Sequence, residues 1–370
     1  MLPQPRILFV FGTRPECIKL APLILEAKKK LPHVTTCFTG QHKEMALPVL
    51  DFFKIHLDYN LEIMKPSQTL NDISVALFSK LGSVLDTVKP THLVVQGDTT
   101  TAAAAALMAF QSQIDVIHVE AGLRTHDLKS PWPEEFNRRM IALATKWHFA
   151  PTELSKNNLI KEGFSEQHVF QVGNTGIDAL RLVTEKQSEN LNRYKHESDF
   201  LVLVTLHRRE NFGSEMIALM QGLKQICQTN SHVKVLWPMH QNPQVKKAFA
   251  EVFTEIPKNL ILEKPLDYFH FVNAMAEADL IVTDSGGVQE EAPFLGKPIL
   301  VCRTTTERPE SVDCGAARLI GTSKEKLIES VLELSQKNAE YKKMAVKRNP
   351  FGDGFASEKI INVLLKNLIS

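Results

Sequence analysis

The sequence predicts an α/β fold with two domains, each built on a doubly wound parallel sheet, and three observations lead to this prediction. Short apolar strands alternate with helical patterns along nearly all of the 370 residues, which is typical of parallel sheets covered by helices. Several strands end directly in small polar turns, such as Gly12-Thr13-Arg14 and Gly97-Asp98-Thr99. A polar, charged break from about 184 to 198 divides the first alternation from a second one of similar size.

The first domain is predicted to contain six strands with helices between them. The first strand covers residues 6–11, and the turn at 12–16 leads from it into a helix from about Cys17 to Lys30, with Pro15 just before its start. Apolar residues recur with helical spacing between Ile73 and Val88. The other five strands are predicted at 35–39, 92–96, 116–119, 147–150 and 169–172.

A new alternation of strands and helices after the break predicts the second domain. The last two helices are expected at 324–346 and 355–368, with Asn349-Pro350-Phe351-Gly352 breaking between them. We therefore predict a first domain of 1–172 plus 353–370 and a second domain of 173–352. The strands of the second domain are predicted at 200–205, 234–237, 260–262, 280–283 and 298–301.

Composition narrows the classes of function. The chain carries 43 basic and 42 acidic residues, a net charge of +1, so nothing calls for nucleic acid or an anionic membrane as a partner. Five cysteines without a C-x-x-C pair argue against a disulfide framework and a zinc site, and for a reducing compartment. The first apolar run, 7–11, is too short for a signal peptide or a membrane span. A cytoplasmic location is expected.

Known metal and cofactor motifs are missing from the sequence. It contains no D-x-D pair and no H-E-x-x-H, the patterns typical of common metal sites. It also lacks G-x-G-x-x-G after a strand, the fingerprint of a dinucleotide-binding turn. We expect neither a metal nor a cofactor.

The stretch 280–299 has the pattern of an anion-binding turn. An apolar strand at 280–283 leads through Gly286 and Gly287, which let the backbone approach a ligand closely, into a short helix predicted at 288–295. The N–H groups and dipole at such a helix start favour an anion. We predict that this turn holds the diphosphate of a nucleotide, although an ordinary strand-to-helix turn with a serine cap fits the same residues.

Carboxylates near this turn have a predicted role in binding the sugar. Glu290 and Glu291 lie about one turn into the short helix, within reach of the hydroxyl groups of a sugar attached to the bound phosphate.

Many polar residues follow predicted strands directly, where open α/β sheets bind their ligands. Each one alone is more often a helix cap or a solvated ion pair, but together they predict a cleft between the two domains. The acidic members Asp98, Glu120 and Glu134 belong to the first domain, which suggests acid/base work there. The set after the strands comprises Arg14, Glu16, Gln41, His42, Asp98, Glu120, Arg124, 207–210, His240 and 284–287.

Several motifs in their order along the chain resemble the non-hydrolysing UDP-N-acetylglucosamine 2-epimerases. The resemblance covers nearly the whole chain and implies two Rossmann-like domains in the arrangement also seen in GT-B glycosyltransferases. It also implies that the final helix crosses back to the first domain. The motifs are FGTRPE at 11–16, GDTTT at 97–101, HVEAGLRT at 118–125, PWPEEFNR at 131–138, HRREN at 207–211, TDSGGVQEEAP at 283–293, TTERPE at 305–310 and NPFGDG at 349–354.

The resemblance implies conversion of UDP-GlcNAc to UDP-ManNAc and assigns a role to each matched position. The catalytic positions would be Asp98, Glu120, Glu134 and His207. The substrate contacts would be Ser285, Gly286 and Gly287 at the phosphates, Glu291 at the ribose, Arg308 at the diphosphate, Phe271 near the uracil, and Arg14 and Lys19 from the first domain.

The implied chemistry explains these residue types. The C2 proton becomes acidic as the C1–O bond to UDP breaks, so elimination gives 2-acetamidoglucal and UDP, and re-addition from the opposite face gives the epimer. Two faces need two acid/base groups, hence several carboxylates.

Family members also often carry an activating second UDP-GlcNAc site. For this chain we expect a homodimer. Gln41, Arg208 and His240 match positions of that second site, whereas Glu44 and Ser67 depart from it. Three alternatives stay open at this point: a hydrolysing epimerase, a GT-B glycosyltransferase and a catalytically silent nucleotide-sugar sensor.

Overall fold

The computed structural model describes residues 4–65, 67–186, 193–194, 196 and 199–368. The chain divides into one unit of Met1–Ala179 with Phe351–Ser370 and another of Leu180–Pro350. The boundaries predicted from the sequence are 172 and 352. Most of the predicted break at 184–198 lies outside the described residues.

The first unit contains a parallel sheet of seven strands within the described residues, in the order β3-β2-β1-β4-β5-β6-β7. The order reverses between β1 and β4, which makes the carboxyl ends of these strands the expected ligand edge. The prediction of six strands missed the two-residue β3, because so short a strand has no period to detect. The strands are β1 (Arg6–Phe11), β2 (His33–Phe38), β3 (Tyr59–Asn60), β4 (His92–Gln96), β5 (Asp115–Val119), β6 (Thr145–Ala150) and β7 (Val169–Gln171).

Helices cover this sheet, and the first of them begins three residues earlier than predicted. A capping box starts it at Arg14, because Thr13 accepts from the Glu16 backbone and Glu16 accepts from the Thr13 backbone. The helix at 43–53 was not predicted. The helices are α1 (Arg14–Lys30), α2 (Lys43–Phe53), α3 (Leu70–Val88), α4 (Thr100–Gln111), α5 (Glu134–Ala144) and α6 (Glu153–Lys161). The next helix, α7 (Thr175–Lys186), begins in the first unit and ends in the second.

The second unit contains a parallel sheet of six strands among its described residues, in the order β10-β9-β8-β11-β12-β13. The first five match predicted strands, whereas the three-residue β13 was missed. The order reverses between β8 and β11, so the carboxyl ends of these two strands define its ligand edge. The strands are β8 (Phe200–Thr205), β9 (Val233–Pro238), β10 (Leu260–Glu263), β11 (Leu280–Thr283), β12 (Ile299–Val301) and β13 (Ala317–Leu319).

The helix predicted at 324–346 is wrong as a single element. It ends at Ser335, and a second helix begins after Asn338, whose side chain accepts from the Tyr341 backbone and caps the new start. The helices of this unit are α8 (Ser214–Thr229), α9 (Pro243–Val252), α10 (Tyr268–Glu277), α11 (Gly286–Glu291), α12 (Pro309–Asp313), α13 (Lys324–Ser335) and α14 (Ala339–Met344).

The last helix, α15 (Ala356–Leu368), belongs to the first unit and packs on α1. The buried carboxylate of Asp178 accepts the backbone N–H groups of Ala356 and Ser357 at 3.0 and 2.7 Å, and so caps the helix start. Just before it, a Cβ on Gly352 would lie 3.2 Å from the Gly173 Cα. The return of the final helix, which the resemblance implies, is confirmed.

The described part of the chain contains no helix that is long and apolar enough to cross a membrane.

Candidate active site

A cavity of about 160 Å³ lies at the carboxyl ends of β1, β4 and β5 in the first unit. This is the edge at which the strand order reverses, so the sheet itself fixes the position of the cavity. Two of the three carboxylates predicted to be catalytic, Asp98 and Glu120, line it. The lining residues are Thr13, Pro15, Glu16, Lys19, Gln96, Gly97, Asp98, Thr99, Glu120, Leu123 and Arg138.

Glu120 enters this cavity directly after β5 and is held by donors from two other elements. The Lys19 ammonium lies 2.8 Å from Oε1 and 2.6 Å from Oε2, and the Gln96 amide donates to Oε2 at 2.5 Å. The backbone of Glu120 has φ +64°, a left-handed conformation that a glutamate adopts only when its surroundings enforce it. Donors and backbone together fix the direction of this carboxylate.

Asp98 follows β4 and is tied to helix α5. The guanidinium of Arg138 donates to Asp98 Oδ2 at 2.8 Å through Nε, and the side chain of Asn137 donates to the Asp98 carbonyl at 2.8 Å. Arg138 also donates from Nη1 to Glu135 at 2.9 Å. Arg138 therefore joins a carboxylate that lines the cavity to one that lies in the interior.

Glu135 is the interior carboxylate, and it is fully buried. Burial opposes its charge, but hydrogen bonds from the Thr125 backbone and Arg138 hold the pKa of Glu135 below its ordinary value. Its Oε1 and Oε2 also accept from the backbones of His126 and Thr125 at 3.3 and 3.0 Å. Glu135 thus orders the loop before α5 and anchors Arg138.

The third predicted catalytic residue, Glu134, lies in the first turn of α5. It is half-buried and is not among the residues that line the cavity. Its Oε2 is buried without a hydrogen-bond partner in the described part of the chain. The structure therefore brings Asp98 and Glu120 to one cavity, and it places Glu134 on α5, one helical turn before the Arg138 that pairs with Asp98.

The turn after β1 forms the wall of the cavity on the side of that strand. Glu16 is fully buried, which raises its pKa, and it accepts from the Gly12 and Thr13 backbones at 3.0 and 2.7 Å and from Thr99 Oγ1 at 2.7 Å. These bonds join the turn after β1 to the turn after β4.

Arg14 and Gln41 lie near the same turns of the first unit. Gln41 accepts from Thr101 Oγ1 at 3.1 Å. Burial and the neighbouring Arg14 lower the pKa of His42, which places a positive charge beside this part of the ligand edge.

In the second unit, Asp284 organises the polar turns after β8 and β11. It is fully buried, and its Oδ2 accepts from the backbones of His207 and Arg208 at 2.9 Å each and from the Asn211 amide at 3.2 Å. His207 Nδ1 lies 3.2 Å from Asp284 Oδ1. Although burial disfavours the charge, His207 and the two backbone donors hold the pKa of Asp284 below its ordinary value.

The turn predicted to bind phosphate leads into α11, which begins at Gly286, two residues before the predicted start. The helix changes to a 3₁₀ turn at Ala292–Leu295, where Pro293 cannot donate a backbone bond. Ser285 makes no capping bond with its side chain. A Cβ at Gly287 would meet nothing within 4 Å, whereas one at Gly286 would lie 3.6 Å from Arg208 Nη2. The backbone is therefore open to a ligand at this turn.

Arg308 lies next to α11 and forms an ion pair with the buried Glu290. The loop that carries Arg308 is fastened to the phosphate turn through side chains: Thr306 donates to Gln289 at 2.6 Å, and Gln289 donates to the Ser285 carbonyl at 3.1 Å. Arg308 is thus positioned on the same side of the unit as the turn.

The other predicted residues of the second unit are His240, Phe271 and Glu291. The rings of His207 and His240 stack with centroids 5.6 Å apart, and burial and His207 lower the pKa of His240. Phe271 is half-buried in α10, and Glu291 is half-buried at the end of α11.

Comparisons with known proteins agree over almost the full length of the chain. A family model described as UDP-N-acetylglucosamine 2-epimerase matches residues 25–365. A UDP-N-acetylglucosamine 2-epimerase of Campylobacter jejuni is 45% identical, covering 98% of this chain and 97% of the relative. One from Neisseria meningitidis serogroup A is 44% identical over 98% of this chain and 100% of the relative. This chain belongs to the UDP-N-acetylglucosamine 2-epimerase family.

Solved structures of the 2-epimerase family match the fold as well. The UDP-GlcNAc 2-epimerase from Neisseria meningitidis, bound to UDP-GlcNAc, aligns with a TM-score of 0.90 over 98% of this chain and 100% of its own, at 44% identity. The Methanocaldococcus jannaschii enzyme, in complex with UDP-GlcNAc and UDP, aligns with a TM-score of 0.81 at 36% identity, over 98% and 100%. A kitacinnamycin glycotransferase, at 14% identity and a TM-score of 0.65, shares the fold alone. These matches confirm the predicted GT-B-like fold.

Sequence reasoning missed three polar residues of this 2-epimerase chain that support the cavity. Gln96 ends an apolar strand and gave no signal of its own. Glu135 and Arg138 are three residues apart on α5, a spacing that puts them on one helix face. Such a charged pair is more often solvated than buried, so the pattern did not single them out.

Proposed function

We propose that this protein interconverts UDP-GlcNAc and UDP-ManNAc by eliminating UDP and adding it back, without releasing free sugar. The family to which the chain belongs is defined by this substrate, and the crystal structure of the Neisseria relative contains UDP-GlcNAc. The observation that carries the proposal for this chain is the cavity that Asp98 and Glu120 share.

The two carboxylates of the cavity suit opposite halves of a proton exchange. Each lies at the end of a different strand, and each has its own cationic partner, Lys19 for Glu120 and Arg138 for Asp98. A positioned carboxylate can take or give a proton at a carbon whose acidity has risen. We assign the transfers at C2 to Glu120 and Asp98.

The reaction then proceeds in two steps, elimination and re-addition. One carboxylate takes the C2 proton, the C–H electrons form the C1–C2 double bond, and the C1–O electrons leave with UDP. In the second step a carboxylic acid delivers a proton to the other face of C2, and a UDP oxygen bonds to C1. The free sugar never forms, because water takes no part in either step.

We assign UDP to the second unit, where the departing negative charge would be stabilised. Support comes from the open backbone at Gly287, from Arg308 beside the turn and from His207. Donors already in place when charge develops lower the barrier without reorganising. Ser285, Gly286, Glu291, Phe271, Arg14 and Lys19 complete the proposed substrate contacts.

Proton NMR in deuterated water tests this proposal directly. Incubation with UDP-GlcNAc is expected to replace the C2 hydrogen with deuterium in both UDP-GlcNAc and UDP-ManNAc, and UDP-ManNAc is expected to accumulate. Accumulation of free ManNAc and UDP would identify a hydrolysing enzyme instead. An unchanged substrate without an acceptor would favour a glycosyltransferase or a sensor.

We further propose a homodimer formed through the helices of the first unit. Large apolar side chains stand exposed on the neighbouring helices α4 and α5, with Phe110 at 62% and Leu143 at 78%. Apolar side chains exposed on adjacent elements are typical of an interaction surface. A light-scattering mass near twice 41.6 kDa for the wild type, and near one copy for Leu143→Glu, is expected. A monomeric wild type would contradict this proposal.

A cytoplasmic location is proposed as well. The five cysteines are all free thiols, and four of them are buried, which suits a reducing compartment.

A further inference from the structure

The amide of Gln96 is an unexpected component of the cavity in the first unit. Gln96 ends β4, a strand buried along its whole length, and only 4% of the residue is exposed. Burying an amide is costly unless it is hydrogen-bonded. The Nε2 group of Gln96 donates a hydrogen bond to Glu120 Oε2 at 2.5 Å.

Lys19 and Gln96 both donate to Glu120 through their side chains, and the two donors differ in character. Lys19 is a charged donor on a flexible stem, with 23% of its side chain exposed. Gln96 is a neutral donor on a rigid strand, paired through β4 with β1 and β5. An ammonium group can turn toward an anionic ligand, whereas the buried amide has no such freedom.

The backbone of Glu120 adds a reason for a fixed donor. At φ +64° the residue is held in a conformation that residues other than glycine rarely adopt. A carboxylate attached to such a backbone points in one direction only if its side chain is also restrained. Gln96 supplies that restraint from the neighbouring strand.

We propose that Gln96 is a positioning residue that holds the Glu120 carboxylate in place and keeps it ionised while Lys19 contacts the substrate. Gln96 acts through Glu120 and not on the sugar itself. This inference rests on the proposed epimerase function, in which Glu120 exchanges the C2 proton.

The test compares two variants with the wild type in the C2 deuterium-exchange assay across a range of pH. Gln96→Met keeps the volume and removes the donor, so kcat is expected to fall ten- to a hundredfold, as for other misplaced catalytic groups. The acidic limb of the kcat profile should move up by about one pH unit, because a lost hydrogen bond disfavours the carboxylate. Gln96→Glu places a second carboxylate beside Glu120, so the same limb should move further in the same direction.

Thr36→Val serves as the matched control for a merely structural effect. Thr36 is also fully buried in a strand of the first unit, and its hydroxyl donates to the His56 carbonyl at 2.8 Å. It does not line the cavity. Its loss should lower the melting temperature while leaving the pH profile unshifted.

The outcomes separate this inference from the function on which it rests. A wild type that exchanges no C2 proton would overturn the proposed function. An exchanging wild type whose Gln96→Met and Gln96→Glu variants keep its kcat and pH profile would overturn the role of Gln96 alone. If Gln96→Met does not fold, Gln96→Asn decides, because its amide is withdrawn from Glu120 by one methylene: an unchanged kcat and pH profile would overturn the role of Gln96. UDP affinity is expected to be unchanged in both, since the role is confined to the sugar chemistry.

Discussion

Two carboxylates directly follow a strand, Glu120 in the first unit and Asp284 in the second. Their surroundings differ. Asp284 is fully buried, and its Oδ2 accepts from two backbone N–H groups of the loop after β8 and from the Asn211 amide. Glu120 lines a cavity and is held by side chains. A fully buried carboxylate that fixes the backbone of a neighbouring loop shapes the protein, whereas one that lines a cavity can exchange its side-chain partners. Position after a strand does not distinguish them.

The largest expected effect is on catalysis at Glu120. Glu120→Gln removes the charge and keeps the shape, so C2 deuterium exchange should fall by roughly a thousandfold, within the range for a lost acid/base group. Asp98→Asn should behave in the same way. NMR exchange rates measure both effects, and calorimetric UDP binding should be retained. Exchange at wild-type rates in both variants would remove these residues from the mechanism.

Removal of the Asp284 carboxylate should act on stability. Asp284→Ala leaves the His207 and Arg208 N–H groups and the Asn211 amide without their acceptor, which should cost about 2–4 kcal/mol of unfolding free energy. Urea unfolding followed by circular dichroism measures this loss. Glu120→Gln is the control and should cost less than about 1 kcal/mol. Equal losses in the two variants would show that the comparison between the two carboxylates is wrong.

Acid is expected to destabilise the first unit before the second. Burial lowers the pKa of His118 to about 4 and that of His148 to about 3, from the ordinary histidine value of 6.5. Because the folded pKa values lie below the unfolded ones, their contribution is complete above pH 6.5 and is lost as pH falls toward 4. The loss is about 3 kcal/mol for each histidine. None of the described histidines in the second unit is buried.

Hydrogen exchange between pH 7 and 4.5 checks the prediction on acid stability. Amides of β5 and β6 should lose protection before those of β8 and β11. His148→Gln should flatten the pH dependence of unfolding in the first unit. Earlier loss of protection in the second unit would contradict the assignment to these two histidines.

The smallest expected effect concerns UDP. Arg308→Ala should weaken UDP binding about tenfold to a hundredfold, as expected when one charged hydrogen bond to phosphate is lost. Titration calorimetry measures the affinity, and Arg318→Ala, in β13, is the control at a distance from the turn. If Arg308→Ala bound UDP as tightly as the wild type does, the diphosphate could not be assigned to Arg308.

Much of the fold could be predicted because long apolar strands and glycine turns leave a clear pattern. The two strands that were missed, Tyr59–Asn60 and Ala317–Leu319, are too short to show a period and form only by pairing with neighbours. The early start of α1 was readable from Thr13 and Glu16, which are spaced as a capping box.

The site was predictable in its residue types but not in its partners. Asp98 and Glu120 were recognised from their places after strands and from motif resemblance. That Lys19 pairs with Glu120, and Arg138 with Asp98, depends on contacts 101 and 40 residues apart in the chain. The left-handed backbone of Glu120 could not be predicted from the sequence either, because glutamate is not a residue type that indicates such a conformation.

The return of α15 to the first unit has a consequence for biosynthesis. The ribosome completes the whole second unit before it makes residues 351–368, so α1 must wait for its packing partner and Asp178 for the helix it caps. Domains generally fold in the order in which they emerge. Here the unit that emerges first is completed last. A nascent chain that pauses before residues 351–368 are made would expose the apolar side of α1 to chaperones.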